Sequence, residues 1–181
     1  MAGIRFGLLL LVAATAASGT TVAEVVARDP GGFVVVHELS LKATPESAFE
    51  ALTEGVSAWW DANHSYSGDA GNFTLPARAG GCFCEQLPNG GSVEHMRVVF
   101  ASPGKRLRLA GGLGPLQGMG VSGVMSFDLS AEGEGARLEF RYTVSGFTPD
   151  GLGALAEPVD QTLGGQLARL AAYLEKGDPA P

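Results

Sequence analysis

Arg137-Leu138-Glu139-Phe140-Arg141-Tyr142-Thr143-Val144, followed by Leu152, Leu155, Val159, Leu163, Leu167, Leu170 and Leu174, decides the fold of this chain. In the first stretch every second residue is apolar. Leu138, Phe140, Tyr142 and Val144 share one face, and Arg137, Glu139, Arg141 and Thr143 share the other. One greasy face and one wet face describe a strand of an antiparallel sheet. In the second stretch the apolar residues recur every three or four positions, which draws one stripe along a helix. A helix over 152–175 would reach roughly 36 Å. Pro158 lacks an N–H, so a kink or a restart is expected there. Gly164-Gly165 weakens the middle, at about 1 kcal/mol per Gly relative to Ala. Close approach of the helix to the sheet or to a ligand would explain the pair.

Upstream, the pattern is one of strands separated by turns. Strands are expected near 73–78, 81–87, 93–100, 105–110, 120–130 and 136–147. The turns are Pro88-Asn89-Gly90-Gly91, Ser102-Pro103-Gly104 and Glu132-Gly133-Glu134-Gly135. Such short connections make a meander the natural topology. Before them stands another strand, Phe33 to Ala43, preceded by the turn Asp29-Pro30-Gly31-Gly32. Residues 24–32 are read as a lead-in without an element of their own. Thr44 is a good helix N-cap, Pro45 suits the first helical position and Glu46 the positive end of the dipole. Phe49, Leu52, Val56 and Trp59 give that helix its apolar side, and Gly55 divides it. The order therefore predicts an α+β helix-grip fold. A curved antiparallel sheet of six or seven strands is wrapped on a long C-terminal helix over 33–176, with a short disordered tail over 177–181.

The N-terminus has a different composition. Arg5 precedes the apolar run from Phe6 to Ala14, and small residues follow. This is the pattern of a secretory signal peptide within residues 1–23, with cleavage after Ala16 or after Ala23. The run is short for a bilayer span, which takes about 20 residues, and no stable membrane span is expected after cleavage. Nine arginines against three lysines, with abundant Gly and Ala, fit a GC-rich bacterial genome. The expected destination is then the periplasm or the outside.

The chain has 181 residues, 45% of them hydrophobic and 17% charged, which supports one domain with a sizeable core. Its formal net charge is −7, and the cations are scattered. A nucleic-acid partner is not expected, because neutralising phosphates requires clustered cations. There is no Gly-x-Ser-x-Gly elbow, no His-Glu-x-x-His and no phosphate-binding loop in the glycine-dense stretch 111–120. That stretch is either a flap over a cavity rim or a plain long hairpin. Lys105-Arg106-Leu107-Arg108 is expected to be a solvated outer face.

Cys82 and Cys84 flank one residue of a strand. Regular strand rise puts their Cα atoms about 6.5–7 Å apart, at or beyond the reach of a disulfide. A bridge would require the segment to bend, so the expected state is two thiols buried in the sheet. A metal site of these cysteines and a histidine lacks the usual spacing. No metal or cofactor is expected. Strand alternation puts His95 with Arg97 and Val99, and Met96 with Glu94 and Val98. The Met96 side is the more apolar, so His95 is expected to face outward.

The order strand, broken helix, meander and long helix, with Ala43-Thr44-Pro45-Glu46-Ser47-Ala48-Phe49-Glu50-Ala51-Leu52 before Trp59-Trp60, with Ala79-Gly80-Gly81-Cys82-Phe83-Cys84-Glu85 and with Gln166-Leu167-Ala168-Arg169-Leu170, resembles the SRPBCC or START-like superfamily. The likeness is strongest to the branch of homologues of the heat-shock-protein-90 ATPase activator, which is grouped with polyketide cyclases. It implies a cavity between sheet and helix for a small hydrophobic molecule. The expected lining is Trp59, Trp60, His64, Tyr66, Phe83, Met96, Met119, Phe127, Phe140, Tyr142, Leu163 and Leu167. Of the two tryptophans, adjacent in a helix and about 100° apart, at most one should face the core squarely. The function expected is binding of a small hydrophobic ligand without catalysis. The alternative is a cyclase or dehydratase acting on a bound apolar substrate, with His64, Glu85 and His95 as its ionisable candidates. A co-chaperone role is not expected, since that partner works in the cytosol and this chain carries an export signal.

Overall fold

A computed structural model describes residues 22–180. The expected signal peptide falls almost wholly outside them. Eight strands form one antiparallel sheet in the order β1-β2-β8-β7-β6-β5-β4-β3. They are β1 (Val22–Asp29), β2 (Gly32–Leu41), β3 (Phe73–Thr74), β4 (Cys82–Gln86), β5 (Ser92–Ser102), β6 (Arg106–Ala110), β7 (Val121–Glu132) and β8 (Gly135–Gly146). Three α-helices complete the fold among the described residues: α1 (Pro45–Thr53), α2 (Val56–Trp59) and α3 (Ala156–Lys176). The architecture is the helix-grip arrangement expected, with one strand more. No helix among the described residues is long and apolar enough to cross a membrane.

The extra strand is β1, where the sequence promised only a lead-in. It pairs with β2 from Val22–Glu38 to Asp29–Gly32 through the Asp29-Pro30 turn. Most of its described side chains are exposed, so alternation was hard to see. A register shift between Val25 and Ala27 blurs it further. At the opposite edge β3 stops after two residues, short of the expected 73–78, because Pro76 has no N–H to give to a ladder.

The leucine stripe of α3 lies on the concave face. Leu163, Leu167 and Leu170 are at most 3% exposed, against β-face residues such as Val35, Leu138 and Phe140. Burying each leucine contributes about 1.5–3 kcal/mol. The start of the helix differs from expectation. Leu152 and Leu155 precede it, around a 3-10 turn over Gly153–Leu155. Pro158 is therefore the third residue of α3, where an N–H has no intrahelical acceptor in any case. It does not interrupt the helix, which runs on to Lys176. Thr44 caps α1 as expected, accepting from the Ser47 N–H at 3.3 Å.

The two mid-helix glycines have different surroundings. A Cβ on Gly164 would lie 2.9 Å from Cε1 of His37, whereas one on Gly165 would meet nothing within 4 Å. His37 is buried on β2, and its Nε2 is 2.9 Å from Oδ1 of Asp160, one turn earlier on α3. The ring cannot retreat without leaving that carboxylate. At Gly164 the helix therefore runs against the His37 ring with no room for a methyl group. Gly164→Ala should lower the thermal midpoint. Gly165→Ala should raise stability by up to about 1 kcal/mol from helix propensity alone. Paired thermal melts check both signs, and equal effects would refute the asymmetry.

Candidate functional site

α3 does not close the sheet completely. At the end nearest its N-terminus a cavity of about 370 Å³ remains, at the lower end of the roughly 300–1,000 Å³ usual for small-molecule sites. Leu155, Pro158, Val159, Thr162 and Leu163 supply the helix side. Tyr142 of β8 and His95 of β5 supply the sheet side. Trp60 and the segment Asn63 to Tyr66 form one rim, and Leu113 to Leu116 with Met119 form the other.

Of the twelve residues expected to line a cavity, Trp60, His64, Tyr66, Met119, Tyr142 and Leu163 do so. Trp59, Phe83, Met96, Phe127, Phe140 and Leu167 are instead packed in the core, none more than 6% exposed. Both tryptophans are buried because α2 ends at Trp59. Trp60 has extended backbone (φ −62°, ψ 139°), which removes the helical spacing assumed for the pair. The Trp59 indole N–H donates to the Ala51 carbonyl at 2.8 Å, and that of Trp60 to the His64 carbonyl at 3.0 Å.

The first rim is held to α3 by one residue that the sequence did not single out for the site. Gln166 is buried; its Oε1 accepts from the Asp61 N–H at 2.9 Å, and its Nε2 donates to His64 Nδ1 at 3.1 Å. Arg169 Nε adds a bond to the Trp59 carbonyl at 2.9 Å. The other rim, glycine-dense 111–120, does arch over the cavity. Tyr142 pins it, its hydroxyl accepting from the Leu113 N–H at 3.0 Å and donating to the Gly111 carbonyl at 3.3 Å. Burial pushes the Tyr142 phenol up to about 12, only partly offset by the Leu113 N–H. It stays protonated and keeps both bonds.

His95 corrects the outward placement expected from alternation. In β4–β5, Phe83 pairs with Met96 and Cys84 pairs with Glu94, so His95 is left without an opposite residue. This is a β-bulge. It turns His95 and Met96 inward together, and both are at most 4% exposed. The same bulge accompanies the second correction. Cys82 and Cys84 are joined in a disulfide, with Cα atoms 5.2 Å apart. β4 is therefore locally compressed relative to a regular strand, which is the bend a bridge needs.

Behind His95 sits Glu85, which is wholly buried on the Phe83 side of β4. His95 Nε2 is 3.0 Å from Glu85 Oε2. The two carboxylate oxygens also accept from the backbone N–H of Tyr66 at 3.1 Å and of Ser67 at 2.5 Å. Burial alone would raise the Glu85 carboxyl, but the Ser67 hydroxyl and N–H, the Tyr66 N–H and His95 together hold it below its ordinary value. For His95, burial outweighs the attraction of Glu85 and lowers its affinity for a proton. The pair is thus a carboxylate and a neutral imidazole. A carboxylate only accepts, so the proton of the ring is on Nε2 and Nδ1 carries a lone pair. The ring stacks on Phe73 (5.2 Å between centroids) and Tyr66 (5.8 Å), with Phe83 tilted at 5.3 Å. Among the described residues the only hydrogen bond of the His95 side chain is the one through Nε2, and none reaches Nδ1. No group of metal-ligating side chains is present among the described residues.

With this geometry in view, comparison with known proteins is informative about the fold. No family model and no curated protein matches the chain. Solved structures do. Protein MLL2253 from Mesorhizobium loti is 21% identical with a TM-score of 0.58, over 80% of this chain and 98% of that one. CalU16 from Micromonospora echinospora is 17% identical with a TM-score of 0.56, over 89% of this chain and 87% of that one. The solution structure of the Aha1 dimer from Colwellia psychrerythraea is 21% identical with a TM-score of 0.54, over 80% and 97%. At these identities the likeness establishes the fold, which is START-like.

The Glu85–His95 pair makes stability depend on pH with a definite sign. His95 has a folded value below its ordinary 6.5, so acidification below 6.5 protonates the unfolded chain first and destabilises the fold. Glu85 has a folded value below its ordinary 4.5. The stability it contributes is present above 4.5 and is lost as pH falls through the folded value. Both effects act in the same direction. The thermal midpoint should fall between pH 7.5 and 5, and fall further below 4.5. In His95→Phe the first part of the decline should flatten. An unchanged slope in that variant would contradict the assignment.

Proposed function

We propose that this is an exported bacterial protein, periplasmic or secreted, that binds a small hydrophobic molecule between its sheet and its C-terminal helix. The observation that carries the reading is the cavity beneath α3 with Trp60, Tyr142, Val159 and Leu163 in its walls. Apolar walls with a few placed polar groups are how small-molecule sites are built. The START-like fold supports the reading as an analogy of architecture only. Export rests on Arg5 and the apolar run after it. That signal also weighs against a cytosolic chaperone as partner, whatever the Aha1 dimer does in its own cell.

A second reading has one specific observation in its favour. Of the three ionisable candidates for a cyclase or dehydratase, His95 faces the cavity with Glu85 behind it, and His64 stands on the rim. An imidazole with a free lone pair and a carboxylate at its back has the arrangement of a general base.

Binding is tested with the neutral fluorescent probe N-phenyl-1-naphthylamine. The wild-type protein should give saturable, blue-shifted emission at one probe per chain. Val159→Trp, which fills the cavity from the helix side, should weaken binding at least tenfold while leaving the circular dichroism spectrum intact. Failure of the wild-type protein to bind saturably, together with no apolar molecule in an organic extract of the purified protein, would overturn the proposal.

A further inference from the structure

The polar contacts already made inside the cavity leave an unequal set of groups for a guest. The Tyr142 hydroxyl is spent on Leu113 and Gly111. His64 Nδ1 is occupied by Gln166. His95 differs from both. Its Nε2 is engaged by Glu85, its ring is held by Tyr66, Phe73 and Phe83, and its Nδ1 has no protein partner among the described residues. The bulge in β5 has brought a hydrogen-bond acceptor to an apolar wall and left it unmatched.

We infer that His95 is the specificity-determining residue of the cavity, and that the guest it selects is a flat apolar molecule bearing a weakly acidic hydroxyl, a phenol or an enol, which donates to Nδ1. An acceptor on an apolar wall binds a hydroxyl donor well and leaves an analogue without one poorly matched. The buried Glu85 carboxylate polarises the imidazole through Nε2–H and strengthens Nδ1 as an acceptor, so the more acidic the donor the greater the gain. Trp60, Tyr66 and Tyr142 offer aromatic rings around the space, which suits an unsaturated planar guest. Glu85 is a positioning residue here: it touches His95 and not the guest.

This inference rests on the cavity being a binding site, and the test separates the two. The probes are 1-naphthol and 1-methylnaphthalene, which are alike in shape and differ in the hydroxyl. A merely greasy cavity prefers the methyl compound, because the hydroxyl must be taken out of water. The wild-type protein should instead bind 1-naphthol at least tenfold more tightly. In Glu85→Gln/His95→Phe, which removes both partners so that no carboxylate is left buried alone, the preference should reverse or vanish while the methyl compound still binds. His95 Nδ1 of the 15N-labelled wild-type protein should shift on adding 1-naphthol and stay put with 1-methylnaphthalene. This readout does not depend on the variant folding. Equal affinities in the wild-type protein, an unmoved Nδ1, or a preference that survives in the double variant would overturn the inference and leave the cavity reading standing. No binding of either arene would overturn both.

Discussion

A single carboxylate buried in the sheet organises the part of this molecule that can do chemistry. Glu85 is fully shielded from solvent, a position that is costly for a charge unless its lone pairs are filled. They are filled by the N–H groups of Tyr66 and Ser67 and by His95. Those three donors come from two parts of the chain, the loop after α2 and the strand β5. Satisfying one charge therefore fixes where a rim of the cavity sits and which way an imidazole points. Replacing it with an apolar side chain would leave two loop N–H groups and one ring nitrogen searching for partners, at about 1–3 kcal/mol for each that stays buried and unmatched.

The remaining walls follow from packing against α3. The leucine stripe fixes the helix on the concave face, and the contact of Gly164 with His37 sets how closely the two approach. Toward the N-terminus of α3, Pro158, Val159 and Thr162 line the open space. Gln166 and Arg169, further along the helix, reach back to the chain around Trp59 and Asp61. Helix, loop and sheet are tied in a ring, and the cavity is the space that this ring encloses.

Much of this was legible in the sequence, and the exceptions share a cause. The Thr44 cap, the turns, the alternation in β8 and the helical stripe are local patterns, and each element formed where its pattern lay. What was missed depends on departures from periodicity. A strict period of two assigned His95 to the outer face, and one inserted residue reversed it. The same regular geometry argued against the Cys82–Cys84 bridge, which exists because the strand is not regular. β1 is an edge strand with most of its described side chains in water, which leaves little hydrophobic signal. Pro158 would break a helix that began at Leu152, but α3 begins at Ala156 and the proline falls in its first turn. Half of the proposed cavity residues proved to be core. Residue type and face identify what points inward, but only three-dimensional packing decides which inward residues leave space between them.

A START-like fold with an open cavity offers a site, and the residues in it determine the chemistry. Here the decisive feature is a neutral imidazole held in one tautomer. The most direct test is the 15N spectrum of the His95 ring in the unliganded protein. At pH 7 it should show a neutral ring protonated at Nε2, with Nδ1 bare, and the ring should take up its proton below pH 6.5. A ring that exchanges between tautomers and titrates near 6.5, as a histidine in water does, would contradict the account.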